Sequence, residues 1–438
     1  MLSKNNEHPQ AHSTMKITRP PPCTLIPTPP FFFLSCRSLT KVRLKWVKNR
    51  GLDHIIDRDT GIKAAILLKD AIKRSPSSLL PARHLSPLQK PLGLTIPVLR
   101  FLRRYPTLFL PSSHPRFPSL PSFSLSPAAL LLDRQESAAT SSVDASHRLT
   151  RLLMMSRSRS LPLPTIHSLR YDLGLPADFA DSDLFHVSRR SDGIPCLVLN
   201  SWRDDLAVSE LQRRHLGTIN SPSYRDLKRM PISFPMRFPR GYGSMNKVKA
   251  WMEEFHRLPY ISPYEDSSGI DPESDLMEKR VVGVLHEVLS LMIHKKTKRN
   301  YLRGLREELN LPHRFTRVFT RYPGIFYLSL KCKTTTLVLR EGYERGKLVE
   351  PHPIALVRNK YYYVMRTGVL YRGKGLTRLA LEEDDPLGIN GSEDRMGEEV
   401  MVSDADEEEE CESAGSDECY EMSSSGSDLE SDLGSDEY

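Results

Sequence analysis

The chain has 438 residues and 39% hydrophobic residues, enough for a sizeable globular core. Its net charge of +8 is divided sharply, because residues 381–438 hold 23 acidic residues and one basic residue, which leaves +30 for the first 380 residues. No apolar run approaches the roughly 18 residues of a membrane span, so we expect no membrane insertion, and the basic body favours nucleic acid as its polyanionic partner.

The first 40 residues have the composition of an organelle transit peptide. Glu7 is their only acidic residue against four lysines and arginines, and prolines interrupt the apolar stretch that a secretory signal would need. A proline-rich tail without a targeting role is the alternative. Met15 is a second candidate for the first residue, since the fourteen residues before it differ in character from those that follow.

Two basic helices with the same ending are predicted next. The pattern R-[FV]-[LF]-x-R-Y-P-x-[LI]-F occurs at Arg100–Phe109 and again at Arg317–Phe326. Apolar residues recur in both copies at i, i+3, i+4 and i+7, which is typical of a helix with one buried face. The proline after each tyrosine predicts the helix end. We therefore expect the aromatic residues of the pattern to be core residues rather than base-stacking platforms: Tyr105, Phe109, Tyr322 and Phe326.

β-Hairpins are predicted after these helices. Gly324–Leu330 and Thr334–Leu339 are rich in aromatic and β-branched residues around a short turn, whereas the Ser- and Pro-rich residues 107–126 give a weaker signal. A middle copy is indicated by L-R-x-x-L-x-L-P-x-x-F, shared by Leu169–Phe179 and Leu305–Phe315. The sequence thus predicts a mostly helical α+β fold with about three modules of helix, turn, helix and hairpin, winged-helix-like in outline; chance similarity of amphipathic helices is the alternative.

A long connecting helix is predicted between the second and third modules. Asp271 and Pro272 form a suitable N-terminal pair, and an apolar stripe follows from Val281 to Met292. We expect the helix to end in the cationic segment His294–Arg299. Cations complement the dipole at a helix C-terminus, but their number here favours contacts with phosphate as well.

Several strings, in this order along the chain, resemble the plant organelle RNA recognition domain: "FLRRYPTLF", "LVLNSWRDDLAVS", "ISPYED", "EKRVVGVLHEVLSL" and "RYPGIFYLSLK". The resemblance extends over about residues 41–366. It implies a nucleus-encoded plant protein that binds organellar intron-containing RNA and supports splicing of group II introns, with other splicing factors as further partners. It implies import into mitochondria or chloroplasts, and the short leader with its arginines favours mitochondria.

No catalytic residue, cofactor or metal site is predicted, so the protein is not expected to be an enzyme. The segment that begins with His286 and Glu287 resembles the start of a zinc-protease helix, but Ser290 stands where the H-E-x-x-H pattern needs its second histidine. The six cysteines include no C-x-x-C pair. A nuclease built from scattered carboxylates, a DNA-binding regulator and a scaffold that recruits splicing factors are the alternatives.

The predicted RNA contacts are exposed cations, because Lys and Arg pair with phosphate and Arg also stacks on exposed bases. Trp46 is added as a base-stacking candidate, with a role as core anchor as its alternative. The basic candidates are Lys41, Arg43, Lys45, Lys48 and Arg50; Arg100, Arg103 and Arg104; Lys295, Lys296, Lys298 and Arg299; and Arg314, Arg317 and Arg321.

Three regions are therefore predicted: a leader over residues 1–40, an RNA-binding body over 41–380 and an acidic tail over 381–438. The tail is almost free of large apolar residues and is predicted to be disordered. It is expected either to compete with RNA for the basic surface or only to keep the protein soluble.

Overall fold

The computed structural model describes residues 42, 44, 46–75, 77–114, 117–218, 230–239, 241–331 and 335–370. The predicted leader and acidic tail lie outside these residues. Within them, helices account for about half of the residues and the strands form small antiparallel sheets, so the chain is an α+β protein.

The first module begins with a helix that Asn49 caps by accepting a hydrogen bond from Leu52 N at 3.1 Å. A short strand, two short helices and a hairpin follow. The bounds are α1 (Arg50–Arg74), β1 (Leu80–Pro81), α2 (Gln89–Leu92), α3 (Val98–Arg104), β2 (Phe109–His114) and β3 (Phe117–Leu125).

The second module has a similar succession of elements, but a single helix stands between its first and second strands. One helix, α4 (Pro127–Ala139), connects it to the first module. Its bounds are α5 (Ser142–Met154), β4 (Ser160–Pro162), α6 (Leu163–Leu173), β5 (Phe185–Arg189) and β6 (Pro195–Leu199).

The third module follows two connecting helices, α7 (Glu210–Thr218) and α8 (Asn246–Arg257). Its bounds are α9 (Asp275–Leu291), β7 (Lys296–Lys298), α10 (Arg299–Arg303), α11 (Arg317–Arg321), β8 (Phe326–Ser329) and β9 (Thr336–Leu339). A small hairpin, β10 (Tyr343–Glu344) and β11 (Lys347–Leu348), leads to the last described helix, α12 (Pro353–Leu370).

The three sheets share one strand order. In each, the first strand pairs with the third and the third with the second, giving β1-β3-β2, β4-β6-β5 and β7-β9-β8, and all pairs are antiparallel. All three predicted hairpins are confirmed, including the weak first one, in which Phe109 pairs with Leu125. Pro111 is tolerated there because β2 is an edge strand of its sheet.

The bounds predicted for the long helix were wrong at both ends. Ser274, not Asp271, caps α9, accepting a hydrogen bond from Met277 N at 3.2 Å, while Asp271 caps the preceding turn. The helix ends at Leu291, before the cationic segment. Residues after it are drawn into the third sheet, where Lys296 pairs with Val338, so pairing with a distant strand overrides local helix propensity.

The described apolar core has two main parts. The larger one joins the second and third modules and contains Leu152 of α5 and Val288 of α9, both fully buried. The second fills the first module and receives Val357, Tyr361 and Met365 from α12. The last described helix, α12, therefore packs on the first module.

The prediction of aromatic core residues is confirmed for three positions and partly for the fourth. Phe109, Tyr322 and Phe326 are each 1% exposed. Tyr105 is half-buried, with its ring edge-on to Phe101 at a centroid distance of 4.9 Å. It ends α3, as the following proline predicts.

Gly174 ends α6 in a left-handed conformation that also brings it against the third module. Its φ is +62°, and a Cβ there would lie 2.8 Å from Ile293 Cγ1. Gly193 has a φ of +80° but no neighbour within 4 Å of the position of a Cβ. A side chain at position 174 would therefore cause both backbone strain and steric overlap, whereas one at position 193 would cause backbone strain alone.

Gly174→Ala is expected to lower the free energy of unfolding by about 3 kcal/mol, of which backbone strain contributes ~1 kcal/mol and overpacking the rest. Gly193→Ala, the matched control, is expected to cost only ~1 kcal/mol. Urea unfolding of the two variants measures both values. Equal losses would show that the packing of Gly174 on Ile293 adds nothing.

Candidate nucleic-acid interface

Three of the predicted cations lie together on α3. Arg100, Arg103 and Arg104 are exposed, while the opposite face of the helix buries its apolar residues in the first module. The described part of the chain gives none of the three an ion pair, and Arg104 lies over the Tyr105 ring at 5.9 Å. The arrangement leaves three positive charges on one short helix free to meet phosphate.

A second group of predicted cations lines a groove in the third module. Arg314, Arg317 and Arg321 surround a cavity of about 510 Å³ between the start of α9 and α11. Arg321 forms an ion pair with Glu278, which also accepts a hydrogen bond from Tyr322 Oη at 2.8 Å. Burial opposes the charge of Arg321, but Glu278 outweighs it and raises the pKa of the guanidinium. Arg314 and Arg317 are exposed at the rim.

Lys296 is buried, so the expectation that it is exposed was wrong. Its side chain is 6% exposed, and Nζ forms an ion pair with Asp59 Oδ2 of α1 at 3.0 Å. Although burial favours the neutral acid, Lys296 holds the pKa of Asp59 well below its usual range. Burial also lowers the pKa of the neighbouring His294 to about 3, so this ring is neutral. Lys296 joins two modules and has no surface to offer RNA.

Lys295 is half-buried, and its ammonium group is held by the protein. Nζ donates to the Ser290 carbonyl at 2.5 Å, in the last turn of α9, and its stem packs on Gly342. Burial lowers the pKa of Lys295. Lys295 is therefore not a fully exposed cation, because its charge complements the helix end, and its contact with phosphate stays a prediction.

Lys298 and Arg299 occupy an intermediate position, half-buried at the start of α10. Lys298 Nζ lies 5.9 Å from the Tyr301 ring and close to Gly93 of the first module. Burial, and then the charge of Arg303, lower the pKa of Arg299, whose Nε is buried without a hydrogen-bond partner among the described residues. Arg303 is exposed one turn further on and was not among the predicted contacts.

Trp46 anchors the N-terminal segment to the third module. Nε1 donates to the Leu328 carbonyl at 2.9 Å, and the ring stacks on Tyr327 at a centroid distance of 6.1 Å. The side chain is still 39% exposed. Lys48 and Arg50 are exposed beside it, whereas Lys41, Arg43 and Lys45 lie outside the described residues.

A buried polar cluster, which no sequence motif predicted, holds the three modules in place. Asp172 of α6 accepts hydrogen bonds from Lys63 Nζ of α1 at 2.9 Å and from Thr297 Oγ1 of β7 at 2.6 Å. Its own carbonyl accepts from Ile293 N at 2.8 Å. The sequence signal was an aspartate next to the apolar stripe of α6. Each module thus contributes one side chain to the cluster.

The guanidinium of Arg358 extends this cluster to α12. It lies 3.8 Å from the centroid of the Tyr171 ring, and Nη1 donates to the Tyr171 carbonyl at 3.0 Å. Burial opposes its charge, but the surrounding acidic groups raise the pKa of Arg358. The positions of the exposed arginines on separate modules are therefore fixed relative to one another by buried contacts.

The described residues contain no group of three or more His, Cys, Asp or Glu side chains placed to hold a metal ion. None of the described helices is long and apolar enough to cross a membrane.

Comparison with known proteins gives one family and several relatives. The family model of the plant organelle RNA recognition domain matches residues 47–370. Protein WHAT'S THIS FACTOR 9, mitochondrial, of Arabidopsis thaliana is 35% identical over 77% of this chain and 90% of its own length. Protein WHAT'S THIS FACTOR 1, chloroplastic, of Zea mays is 32% identical over 74% of this chain and 67% of its own length.

Protein ROOT PRIMORDIUM DEFECTIVE 1 of Arabidopsis thaliana is 29% identical over 72% of this chain and 81% of its own length. No solved structure matches the chain. The family model covers the body that contains all three modules.

Proposed function

Because the chain belongs to the plant organelle RNA recognition domain family, we propose that it binds intron-containing organellar RNA and assists the splicing of group II introns. The observation that carries this proposal is the set of exposed arginines on α3 and at the rim of the third-module groove. Lys63, Lys69 and Lys296 are paired with acidic groups inside the fold, whereas these surface arginines have no such partner in the described ranges.

The proposed mechanism is positioning without catalysis. A folded intron brings phosphates close together, and arginines neutralise the repulsion between them. The buried contacts at Asp172 and Arg358 hold the modules rigid, so that segments bound to different modules stay in one arrangement. The intron's own active site performs the chemistry, and the protein contributes no catalytic group.

The modules are proposed to be winged-helix-like. Their common strand order supports this, together with the helix before each first strand and the helices between the first and second strands. We also propose the division into a leader (1–40), an RNA-binding body (41–380) and an acidic tail (381–438). The family match over residues 47–370 is consistent with the limits of the body.

The proposed location is the mitochondrion. A relative with a mitochondrial name and the arginines of the acid-poor leader support it. A relative with a chloroplastic name supports the chloroplast as the alternative. Two other functions are consistent with the same fold: a DNA-binding regulator, because helix–turn–helix modules with wings bind duplexes, and a scaffold that recruits splicing factors.

Replacing Arg100, Arg103 and Arg104 together by alanine should weaken binding to a group II intron fragment about 10-fold. Three exposed ionic contacts of about 0.5 kcal/mol each give roughly 1.5 kcal/mol of binding free energy. The slope of log K against log[KCl] should become shallower by about two, because fewer counterions are released. Fluorescence anisotropy across a potassium chloride series measures both quantities.

The control is Arg257→Ala, which removes an arginine whose side chain is 79% exposed and paired with Glu253 on the same helix. It should leave RNA affinity within about twofold, because that charge is already partnered. If the triple variant and the control lose the same affinity, α3 has no special part in binding.

A further inference from the structure

One groove occurs in both the second and the third module. In the third module it lies between the start of α9 and Pro312–Phe315, and in the second between the start of α5 and Pro176–Phe179. These two segments belong to the shared sequence pattern L-P-x-x-F, so the grooves are equivalent parts of two copies. Their volumes are similar, at about 510 and 560 Å³.

The third-module groove combines a basic rim with an apolar floor. Three arginines and two glutamates line it, and one arginine, Arg321, is neutralised by Glu278. Arg314 and Arg317 are left at the rim, exposed and without an ion pair in the described structure. Phe315 and Val318 form the floor. The volume falls within the roughly 300–1,000 Å³ of pockets that hold small molecules.

The second-module groove has the opposite charge. Asp178, Asp181 and Asp183 line it, and all three are exposed. Its one arginine, Arg203, is bound at 2.7 Å to Asp205. The phosphates of an anionic chain in this groove would be repelled by the aspartates, and both sets of charges would lose solvating water.

We propose that the third-module groove binds a nucleotide of single-stranded RNA and that the equivalent second-module groove excludes RNA. This inference rests on the proposed function of RNA binding and assigns part of it to one module. An unstacked base lies on the apolar floor formed by Phe315 and Val318. Arg314 and Arg317 pair with the flanking phosphates, and the guanidinium plane of one of these two arginines also covers the exposed face of the base.

The test compares charge removal in the two grooves of the full chain. The probe is a 12-nucleotide oligouridylate, which has little structure of its own, and anisotropy is measured over a potassium chloride series. Arg314→Ala with Arg317→Ala should weaken binding about 10-fold and reduce the salt dependence by about 1.4 ions, as expected for two phosphate contacts on a single strand. Asp178→Ala with Asp181→Ala should leave the affinity unchanged or tighten it up to about threefold.

Conservative variants separate the two parts of the site. Arg314→Lys with Arg317→Lys keeps both charges but removes the planar groups, so the salt dependence should be retained while the affinity falls about threefold. Circular dichroism and the melting temperature of each variant confirm that it is folded.

Equal affinity and equal salt dependence of the wild type and the folded Arg314→Ala/Arg317→Ala variant would overturn the inference. Equal weakening by the aspartate variant would also overturn it, because both grooves would then contact RNA. If the wild type binds RNA but the arginine variant binds equally well, only this assignment fails. If the wild type does not bind RNA, the proposed function fails with it.

Discussion

Asp172→Asn is expected to lower the free energy of unfolding by about 3–5 kcal/mol, the range for breaking a buried ion pair. Asparagine has nearly the same shape, so the change removes the charge without opening a cavity. Lys63, whose side chain is 13% exposed, would then keep a buried charge without its carboxylate partner. Urea unfolding of the full chain followed by circular dichroism measures the loss.

The matched control is Glu253→Gln, which removes the same charge from a pair that is 3.8 Å apart and whose side chains are 79% and 69% exposed. Its cost should stay within about 0.5 kcal/mol. Adding Lys63→Met to Asp172→Asn should recover a large part of the stability, because no unpaired charge then remains buried. A loss below ~1 kcal/mol for Asp172→Asn would show that the junction between modules is stable without this pair.

Lys296→Met is expected to lower stability by about 3–5 kcal/mol and to leave the RNA affinity of the folded protein unchanged. Methionine fills a similar volume, but Asp59, whose side chain is 17% exposed, would lose the partner that keeps it ionised. The structure therefore assigns Lys296 to the core, although its sequence neighbourhood suggests phosphate contact. Unfolding and RNA anisotropy of the same preparation, at a temperature where the variant is folded, measure the two effects.

Arg103→Met serves as the opposite case, since Arg103 is exposed on α3. It should weaken RNA binding about twofold and change stability by less than ~0.5 kcal/mol. Weakened RNA binding by folded Lys296→Met, with no loss of stability, would return Lys296 to the interface and contradict its assignment to the core.

The sequence was sufficient for the elements whose signals are local. The apolar spacing before Tyr105 and Tyr322 predicted the helices α3 and α11. The proline after each tyrosine predicted where they end, because proline disfavours helical geometry at the preceding residue. The strands β8 and β9 followed from aromatic and β-branched residues around a short turn. The first strand of each sheet was not predicted, because β1, β4 and β7 are only two or three residues long and form through pairing with a distant strand.

The cations could not be sorted from sequence because their partners are distant along the chain. Lys63 and Thr297 reach Asp172 from positions 109 and 125 residues away. Arg100 and Lys296 both lie in basic segments. Arg100 is exposed, whereas Lys296 is buried, with 6% of its side chain exposed, and is paired with Asp59. Local charge density predicted that a basic surface exists, whereas burial decided which residues form it.

The most direct test of RNA recognition is the affinity of the full chain for three probes across a potassium chloride series: a group II intron fragment, a single-stranded RNA of equal length and a duplex DNA. We expect a preference for the intron fragment that persists at moderate salt, with a slope that counts a limited number of phosphate contacts. Equal and steeply salt-dependent affinities for all three probes would contradict specific recognition and leave the net charge of the body as the only cause of binding.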